Sequence, residues 1–134
     1  MVIDKTLLDQ VSAQAKASPR LRMNYNFHQS LDDKCHRFLN AVEPGTVVPI
    51  HKHPTKDESF VILRGKVRVT THNDDGSIIE DVVLSQKSGN YGVDIPKNVW
   101  HKLESLKSGS VIFECKEGPF VEHEEEGILG VPAK

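Results

Sequence analysis

The sequence predicts an all-β domain, a sandwich or a barrel, preceded by one short helix. About eight or nine short segments alternate apolar and polar residues with a period of two, which is typical of half-buried strands. Turn residues such as Asp75-Gly76 separate these segments. Helical spacing of apolar side chains is found instead in residues 3–17. These observations together indicate a small β fold with a single leading helix.

The length and charge of the chain limit its class. The 134 residues are enough for one domain and too few for two. We expect residues 1–19 to form a helix that packs on the barrel and residues 20–134 to form a single β domain. Seventeen basic and nineteen acidic residues give a net charge of −2, which argues against nucleic acid as the partner.

Two further features of the sequence indicate where the protein works. No apolar run is long enough to span a membrane, and the N-terminus lacks the pattern of a secretory signal, so we expect no membrane partner. Cys35 and Cys115 are too few for a disulfide framework and lack a C-x-x-C spacing. The cytoplasm is therefore the expected location.

The secondary-structure elements follow from periodicity and turn residues. Asp4 is placed to cap the helix, and Ser18-Pro19 ends it. Its apolar face consists of Leu7, Leu8, Val11 and Ala15. Alternation predicts strands over residues 21–28, 35–41, 66–71, 78–84, 91–95, 99–103 and 111–116. His72 precedes the predicted turn at Asp75-Gly76 and is expected to be solvated.

The stretch between Gly45 and Gly65 holds side chains that fit a metal site. His51 and His53 are two residues apart, so their imidazoles leave a strand from the same face. Pro54 and the polar residues after it predict a turn. We expect the next strand to run back beside the first, which would bring Glu58 to the same point.

His101 supplies a third imidazole. It alternates with Val99 and Leu103, so it should project into the barrel with the apolar set. Three imidazoles and one carboxylate suit one divalent transition ion such as Mn, Fe, Co, Ni or Zn. Four protein ligands leave coordination positions open, which is typical of a catalytic site. Because the ligands must lose protons to bind, the affinity for the metal should fall as the pH drops through the range in which histidine titrates.

Polar residues on two other strands are candidates for ligand binding. Arg22, Asn24, Asn26 and His28 form the polar face of the first strand, which either faces water or lines the mouth of the metal cavity. Arg37 and Asn40 are possible substrate contacts on the second strand. On the last strand, Glu114 and Lys116 belong to the set that otherwise points inward, where an acid and a base are costly in a dry core. Either that face is solvated or both groups serve the site.

The motif spacing resembles a known superfamily. Gly45, five residues, His51-x-His53, four residues, Glu58, six residues and Gly65 match the first cupin motif without a gap. Pro96-x-Asn98-x-x-His101 resembles the core of the second motif, with Asn98 in the usual place of glycine. Asn is the commonest non-glycine residue in the left-handed region, so this change is chemically mild. The resemblance implies the cupin double-stranded β-helix, a jelly-roll barrel.

A closer resemblance covers nearly the whole chain. The sequence is similar to the WbuC-type cupin metalloproteins, which are often associated with surface-polysaccharide clusters. The stretches that carry this similarity are Ser18–Arg22, Asn24–His28, Arg37–Ala41, Trp100-His101 and Phe113–Pro119. The resemblance implies a metalloprotein that acts in surface-polysaccharide metabolism, and by analogy with cupins a homodimer.

Three functions remain open from the sequence. The first is a metal-dependent isomerase, epimerase or lyase on a carbohydrate or sugar nucleotide, in which the ion acts as a Lewis acid. The second is an iron-dependent dioxygenase. The third is a non-catalytic, metal-dependent sugar-binding or regulatory module. Candidates for a general base are His28, Glu114 and Tyr91, and candidates for substrate binding are Arg22, Asn24, Asn26, His28, Arg37, Asn40 and Lys116.

Overall fold

The computed structural model describes residues 1–120 and 126–127. Within these ranges the chain forms one helix and ten strands, which confirms the all-β class with a leading helix. The elements are α1 (Lys5–Ala17), β1 (Arg22–Asn26), β2 (Cys35–Val42), β3 (His51–Lys52), β4 (Glu58–Arg64), β5 (Val67–His72), β6 (Ile78–Leu84), β7 (Gly92–Ile95), β8 (Trp100–Ser105), β9 (Ser110–Glu117) and β10 (Glu126–Gly127). The predicted domain runs to residue 134, and residues 121–125 and 128–134 of it lie outside the described residues.

The strands form two five-stranded sheets with antiparallel pairings. Sheet A has the strand order β1-β2-β9-β4-β7, and sheet B has the order β10-β3-β8-β5-β6. From β2 onward the chain changes sheet at nearly every connection, so neighbours within a sheet come from distant parts of the sequence. This is the jelly-roll arrangement.

The apolar core lies between the two sheets. Sheet A and sheet B both contribute to it, because alternate side chains of each strand point inward. The buried members of this core are Val42, Phe60, Ile62, Val67, Val69, Leu84, Ile95, Leu103 and Ile112. His53, Glu58 and His101 are buried as well, so the polar site is part of the interior.

Helix α1 packs on the outer face of sheet A. Its buried residues Leu7, Val11 and Ala15 meet side chains of β2 and β9 that point away from the core. Asp4 caps the helix as predicted, since its carboxylate accepts from the backbone N–H of Leu7 at 3.0 Å. Arg64 of β4 also holds the helix, by donating to Asp9 at 2.5 Å.

The predicted pairing of the two strands around Pro54 is wrong. β3 pairs with β8 and β10 in sheet B, whereas β4 pairs with β7 and β9 in sheet A. The connection between them crosses from one sheet to the other. His51 and Glu58 therefore approach each other across the interior, from facing sheets, and not along one hairpin.

The expectation that His72 is solvated is also wrong. Its ring is buried and lies 2.8 Å from the Thr70 hydroxyl and 2.9 Å from the carbonyl oxygen of Gly76. Because both ring nitrogens have partners, the burial of this polar side chain is compensated.

Candidate metal centre

The four residues predicted as metal ligands converge. His51, His53, Glu58 and His101 each offer one ligand atom, and these atoms all lie within 4.8 Å of one another. His51 lies on β3, His53 follows it, and His101 lies on β8 of the same sheet, while Glu58 begins β4 of the facing sheet. The two sheets thus bring the two motifs to one point.

Hydrogen bonds orient two of the imidazoles. Nδ1 of His51 lies 2.9 Å from the Pro49 carbonyl, and Nδ1 of His101 lies 2.9 Å from the Val99 carbonyl. A carbonyl only accepts, so Nδ1 must carry the hydrogen in both rings. The Nε2 atoms are then the ones that meet a metal ion, which is the usual way in which a protein orients such ligands.

The ring nitrogens that face the carboxylate lack hydrogen-bond partners. His53 Nε2 and His101 Nε2 are fully buried, and neither has a partner with hydrogen-bond geometry. They lie 3.5 Å and 2.6 Å from the Glu58 carboxylate oxygens. An imidazole lone pair this close to a carboxylate oxygen is repelled unless a proton or a cation lies between them. This donor set fits a divalent transition ion.

The protonation states also fit. Burial lowers the pKa of His51 to about 4, with a further contribution from the charge of His101, and burial lowers the pKa of His53 to about 3. Burial raises the pKa of Glu58, but contact with His101 outweighs it, and the pKa falls to about 2. At neutral pH all three therefore have the protonation that a metal ligand needs.

His101 differs from the other ligands. Burial acts to lower its pKa, but the contact with Glu58 and the charge of that carboxylate outweigh burial, and the pKa is raised. Its proton therefore competes with a metal ion for the same position.

The turn before His101 keeps the backbone shape that its motif requires. Asn98, which stands in the usual place of glycine, has a φ of 65°, which is the left-handed region that Asn tolerates. Its backbone N–H donates to the carbonyl of His53 at 2.8 Å. Gly65, at the end of the first motif, has the expected positive φ of 87°.

A cavity of about 490 Å³ opens beside the four ligands, and all four line it. Its size is that of an ordinary small-molecule pocket. Five of the residues predicted to bind substrate or to catalyse also line it: Arg22, Asn24, Asn40, Glu114 and Lys116. The polar face of the first strand was expected either to face water or to line the cavity. Arg22 and Asn24 line the cavity.

Four other predicted site residues do not line this cavity. Asn26 and Arg37 are exposed to solvent. His28 is buried in a stack on His36, with ring centroids 4.2 Å apart, and its Nδ1 accepts from the backbone N–H of Arg37 at 3.1 Å. Tyr91 is 60% exposed and precedes the edge strand β7. Their placement gives no support to a role at the metal centre.

Glu114 is the acid in the cavity beyond the ligand set. It lies half-buried between Phe38 and Phe60, its cross-strand neighbours on β2 and β4. Asn40 donates to its Oε1 from Nδ2 at 3.2 Å. Burial and the charge of Glu58 raise the pKa of Glu114 to about 7, against the opposing effect of the Asn40 hydrogen bond. A carboxyl group with this pKa exchanges protons readily at neutral pH.

Sequence reasoning did not assign a site role to two polar cavity residues, Ser18 and Arg20. Both lie in the connection between α1 and β1, where Ser18 was interpreted as the end of the helix and Arg20 as the start of the β domain. Connections often carry functional side chains, but no periodic pattern marks these two.

Solved structures with a similar fold come from several proteins. The capsular polysaccharide assembling protein CapF from Staphylococcus aureus matches with a TM-score of 0.66 and 21% identity, over 83% of this chain and 32% of that one. A putative sugar phosphate isomerase from Acidithiobacillus ferrooxidans matches at 0.57 and 18%, over 72% of this chain and 59% of that one. KdgF from Halomonas sp. matches at 0.59 and 14%, over 78% and 85%. These similarities establish the cupin fold.

This chain spans only about a third of the length of the CapF structures that it matches. No curated protein matched the sequence. None of the described helices is long and apolar enough to cross a membrane.

A protein-family model matches residues 3–84, which include α1, the first cupin motif and three of the four predicted ligands. Since the match covers more than half of the 134 residues, the chain belongs to the family described as Domain of unknown function (DUF6016).

Proposed function

We propose that this cupin is a metal-dependent enzyme that isomerises, epimerises or eliminates on a carbohydrate or sugar nucleotide in surface-polysaccharide metabolism. The observation that carries the proposal is the convergence of His51, His53, Glu58 and His101 within 4.8 Å. The ring nitrogen Nε2 of His53 in this cluster is buried without a hydrogen-bond partner, which is costly unless a ligand satisfies it. When bound, a divalent transition ion would supply Lewis-acid polarisation of a substrate oxygen.

Glu114 is the residue that we assign to proton transfer. We propose the routes of isomerisation, epimerisation or elimination that remove a proton from a carbon next to a polarised group, and these need a base whose pKa is near the working pH. Glu114 meets this requirement, with a pKa of about 7. Asn40 orients it, and Lys116 is the direct cross-strand neighbour of Glu58, so Glu114, Lys116 and Glu58 share one face of sheet A.

Two of the similar structures support a carbohydrate ligand. Their descriptions name capsular polysaccharide assembly and a putative sugar phosphate isomerase. The polar lining of the cavity suits hydroxyl groups, since Asn24 and Asn40 offer both donors and acceptors. The WbuC-type relationship, the homodimer and the cytoplasmic location stay predictions.

Elemental analysis of freshly purified protein tests the metal centre. We expect about one transition-metal ion per chain in the wild type. His53→Gln and His101→Gln should each lower the metal content about tenfold or more, because each removes a ligand. His72→Gln is the matched control, since it replaces a buried histidine outside the cavity and should retain the metal. Equal metal content in all four proteins would refute the centre.

Deuterium exchange tests the chemistry without a known product. The metal-loaded protein is incubated in D₂O with a panel of sugars, sugar phosphates, sugar acids and sugar nucleotides, and carbon-bound deuterium is followed by NMR. We expect exchange on at least one substrate, and Glu114→Gln should slow it about 100-fold or more while it retains the metal.

Other outcomes of the same incubation identify the two other functions. Iron-dependent oxygen uptake without exchange would indicate a dioxygenase. Metal-dependent binding without any turnover would indicate a non-catalytic module, and Glu58→Gln would then lower metal content and ligand affinity together.

A further inference from the structure

We infer that the ligand of this cavity is anionic, a sugar-sized molecule with a carboxylate or a phosphate, and that Arg20 and Arg22 bind its charged group at the cavity mouth. This inference rests on the proposed function for the metal centre and adds the charge class of the substrate. Nothing in the similarity to solved structures assigns a role to either arginine.

The first support is the charge of the lining. Three cationic side chains, Arg20, Arg22 and Lys116, line the cavity, and its carboxyl groups among the described residues are those of Glu58 and Glu114. The carboxylate of Glu58 contacts His53 and His101, and a divalent ion bound beside it would add two positive charges to the cavity. Among the described residues, the lining of the cavity therefore has more cationic side chains than carboxyl groups, on a chain with a net charge of −2. Such a site attracts anions selectively.

The second support is the shape of the segment that carries the arginines. Leu21, which lies between them, has a φ of 56°. A bulky residue in the left-handed region is strained, and strain of this kind is concentrated at functional sites. The strained residue is held by hydrogen bonds on both sides: its N–H donates to Ser18, and its carbonyl accepts from Glu43 and from the Thr46 hydroxyl. These hydrogen bonds therefore fix the backbone at Leu21, between the two arginines, before a ligand binds.

The chemistry of the two guanidinium groups narrows the ligand further. Arg offers a planar set of donors that matches the oxygens of carboxylate and phosphate, whereas it has no acceptor for a hydroxyl proton. Deeper in the cavity, Oδ1 of Asn40 is buried without a hydrogen-bond partner. That acceptor suits a sugar hydroxyl. An anionic group at the mouth and a hydroxyl-bearing ring inside describe a sugar acid or a sugar phosphate.

Calorimetric binding with three related probes tests the inference. Metal-loaded wild-type protein is titrated with glucose, glucuronate and glucose 6-phosphate, and its metal content is measured in the same samples. We expect at least one anionic probe to bind about tenfold more tightly than glucose or better, with an affinity that falls as salt is added. The anion that binds more tightly distinguishes a carboxylate ligand from a phosphate ligand.

Two substitutions at the cavity mouth and one control test whether the arginines cause the preference for an anionic probe. Arg20→Gln and Arg22→Gln should each weaken the preferred anion about fivefold or more, and leave glucose binding unchanged. Arg68→Gln is the control, because it removes one positive charge outside the cavity, where Arg68 pairs with Asp81 at 2.5 Å. Equal affinity for all three probes, absence of anion binding, or an equal effect of Arg68→Gln overturns the inference. If samples without bound metal still bound an anionic probe more tightly than glucose, the result would count against the proposed function alone.

Discussion

His51 on β3 and His101 on β8 are directly opposite each other in sheet B, with ring centroids 4.2 Å apart. Opposite residues in an antiparallel pair project to the same face. Both imidazoles therefore enter the interior side by side, although one belongs to the first cupin motif and the other to the second. Glu58 reaches them from the facing sheet, so the centre forms only when the two sheets have packed.

Metal affinity should depend on pH through His101. Since its pKa is raised by Glu58, it keeps a proton in the range where His51 and His53 are already neutral. Metal binding must release that proton, so we expect the affinity to fall about tenfold for each pH unit below the pKa of His101, and to level off above it. A chelator-competition titration across about pH 6 to pH 9 measures this slope. An affinity that does not change with pH would contradict the assignment.

Removing the Asn40 side chain should move the pH profile of turnover. Burial is the largest effect on Glu114 and raises its pKa, while the bond from Asn40 lowers it. Without that bond the pKa rises further, so Asn40→Ala should shift the Glu114 limb upward by about one pH unit. The limb should disappear in Glu114→Gln. A merely structural role for Asn40 would lower the rate equally at every pH.

The four candidate ligands could be predicted from the sequence because each belongs to a local pattern. His51 and His53 are two residues apart, and Glu58 and His101 stand at recognisable spacings within the two motifs at residues 45–65 and 96–101. Strand assignment succeeded for the same reason, since alternation reports which side of a strand is buried. The helix and the seven strands that were predicted with bounds differ from the prediction by only a few residues, whereas β10 was not predicted.

Apart from the local burial of His72, the relationships that the sequence did not predict depend on distant parts of the chain. A turn after Pro54 is compatible both with a hairpin and with a crossing between sheets, and the residues of the turn do not distinguish the two. The contact between Asn40 and Glu114 joins positions that are 74 residues apart. The cavity position of Arg20 depends on a strained backbone at Leu21 that leucine itself does not predict.

Gly65→Ala should destabilise the fold more than Gly109→Ala. Both glycines have positive φ, at 87° and 82°, so alanine is strained at either position. At Gly65 an added Cβ would also lie 2.6 Å from the Cα of Ser110, whereas at Gly109 it would meet no atom within 4 Å. We expect Gly65→Ala to cost at least about 1 kcal/mol more than the control in urea unfolding. If the two variants lost the same free energy of unfolding, β9 would have to move away from the added Cβ at no cost.

The metal-free protein should lose stability in mild acid because of His51 and His53. Unfolded, each has an ordinary pKa of 6.5, but in the folded chain burial holds the pKa at about 4 and about 3. Between these values the unfolded state binds more protons, so stability falls as the pH falls, by up to about 2 kcal/mol for each histidine between about pH 7 and pH 5. His101 and Glu114 act in the opposite direction because their pKa values are raised, so the loss assigned to His53 is measured by comparison with His53→Gln.

Urea unfolding of chelator-treated protein at these two pH values measures the loss. His53→Gln lacks one of the two titrating groups, so its loss between the two pH values should be smaller than that of the wild type by up to about 2 kcal/mol. The comparison uses the difference between pH values within each protein, so a general destabilisation by the substitution cancels. Equal losses in both proteins would show that His53 is not held neutral by burial in the folded chain.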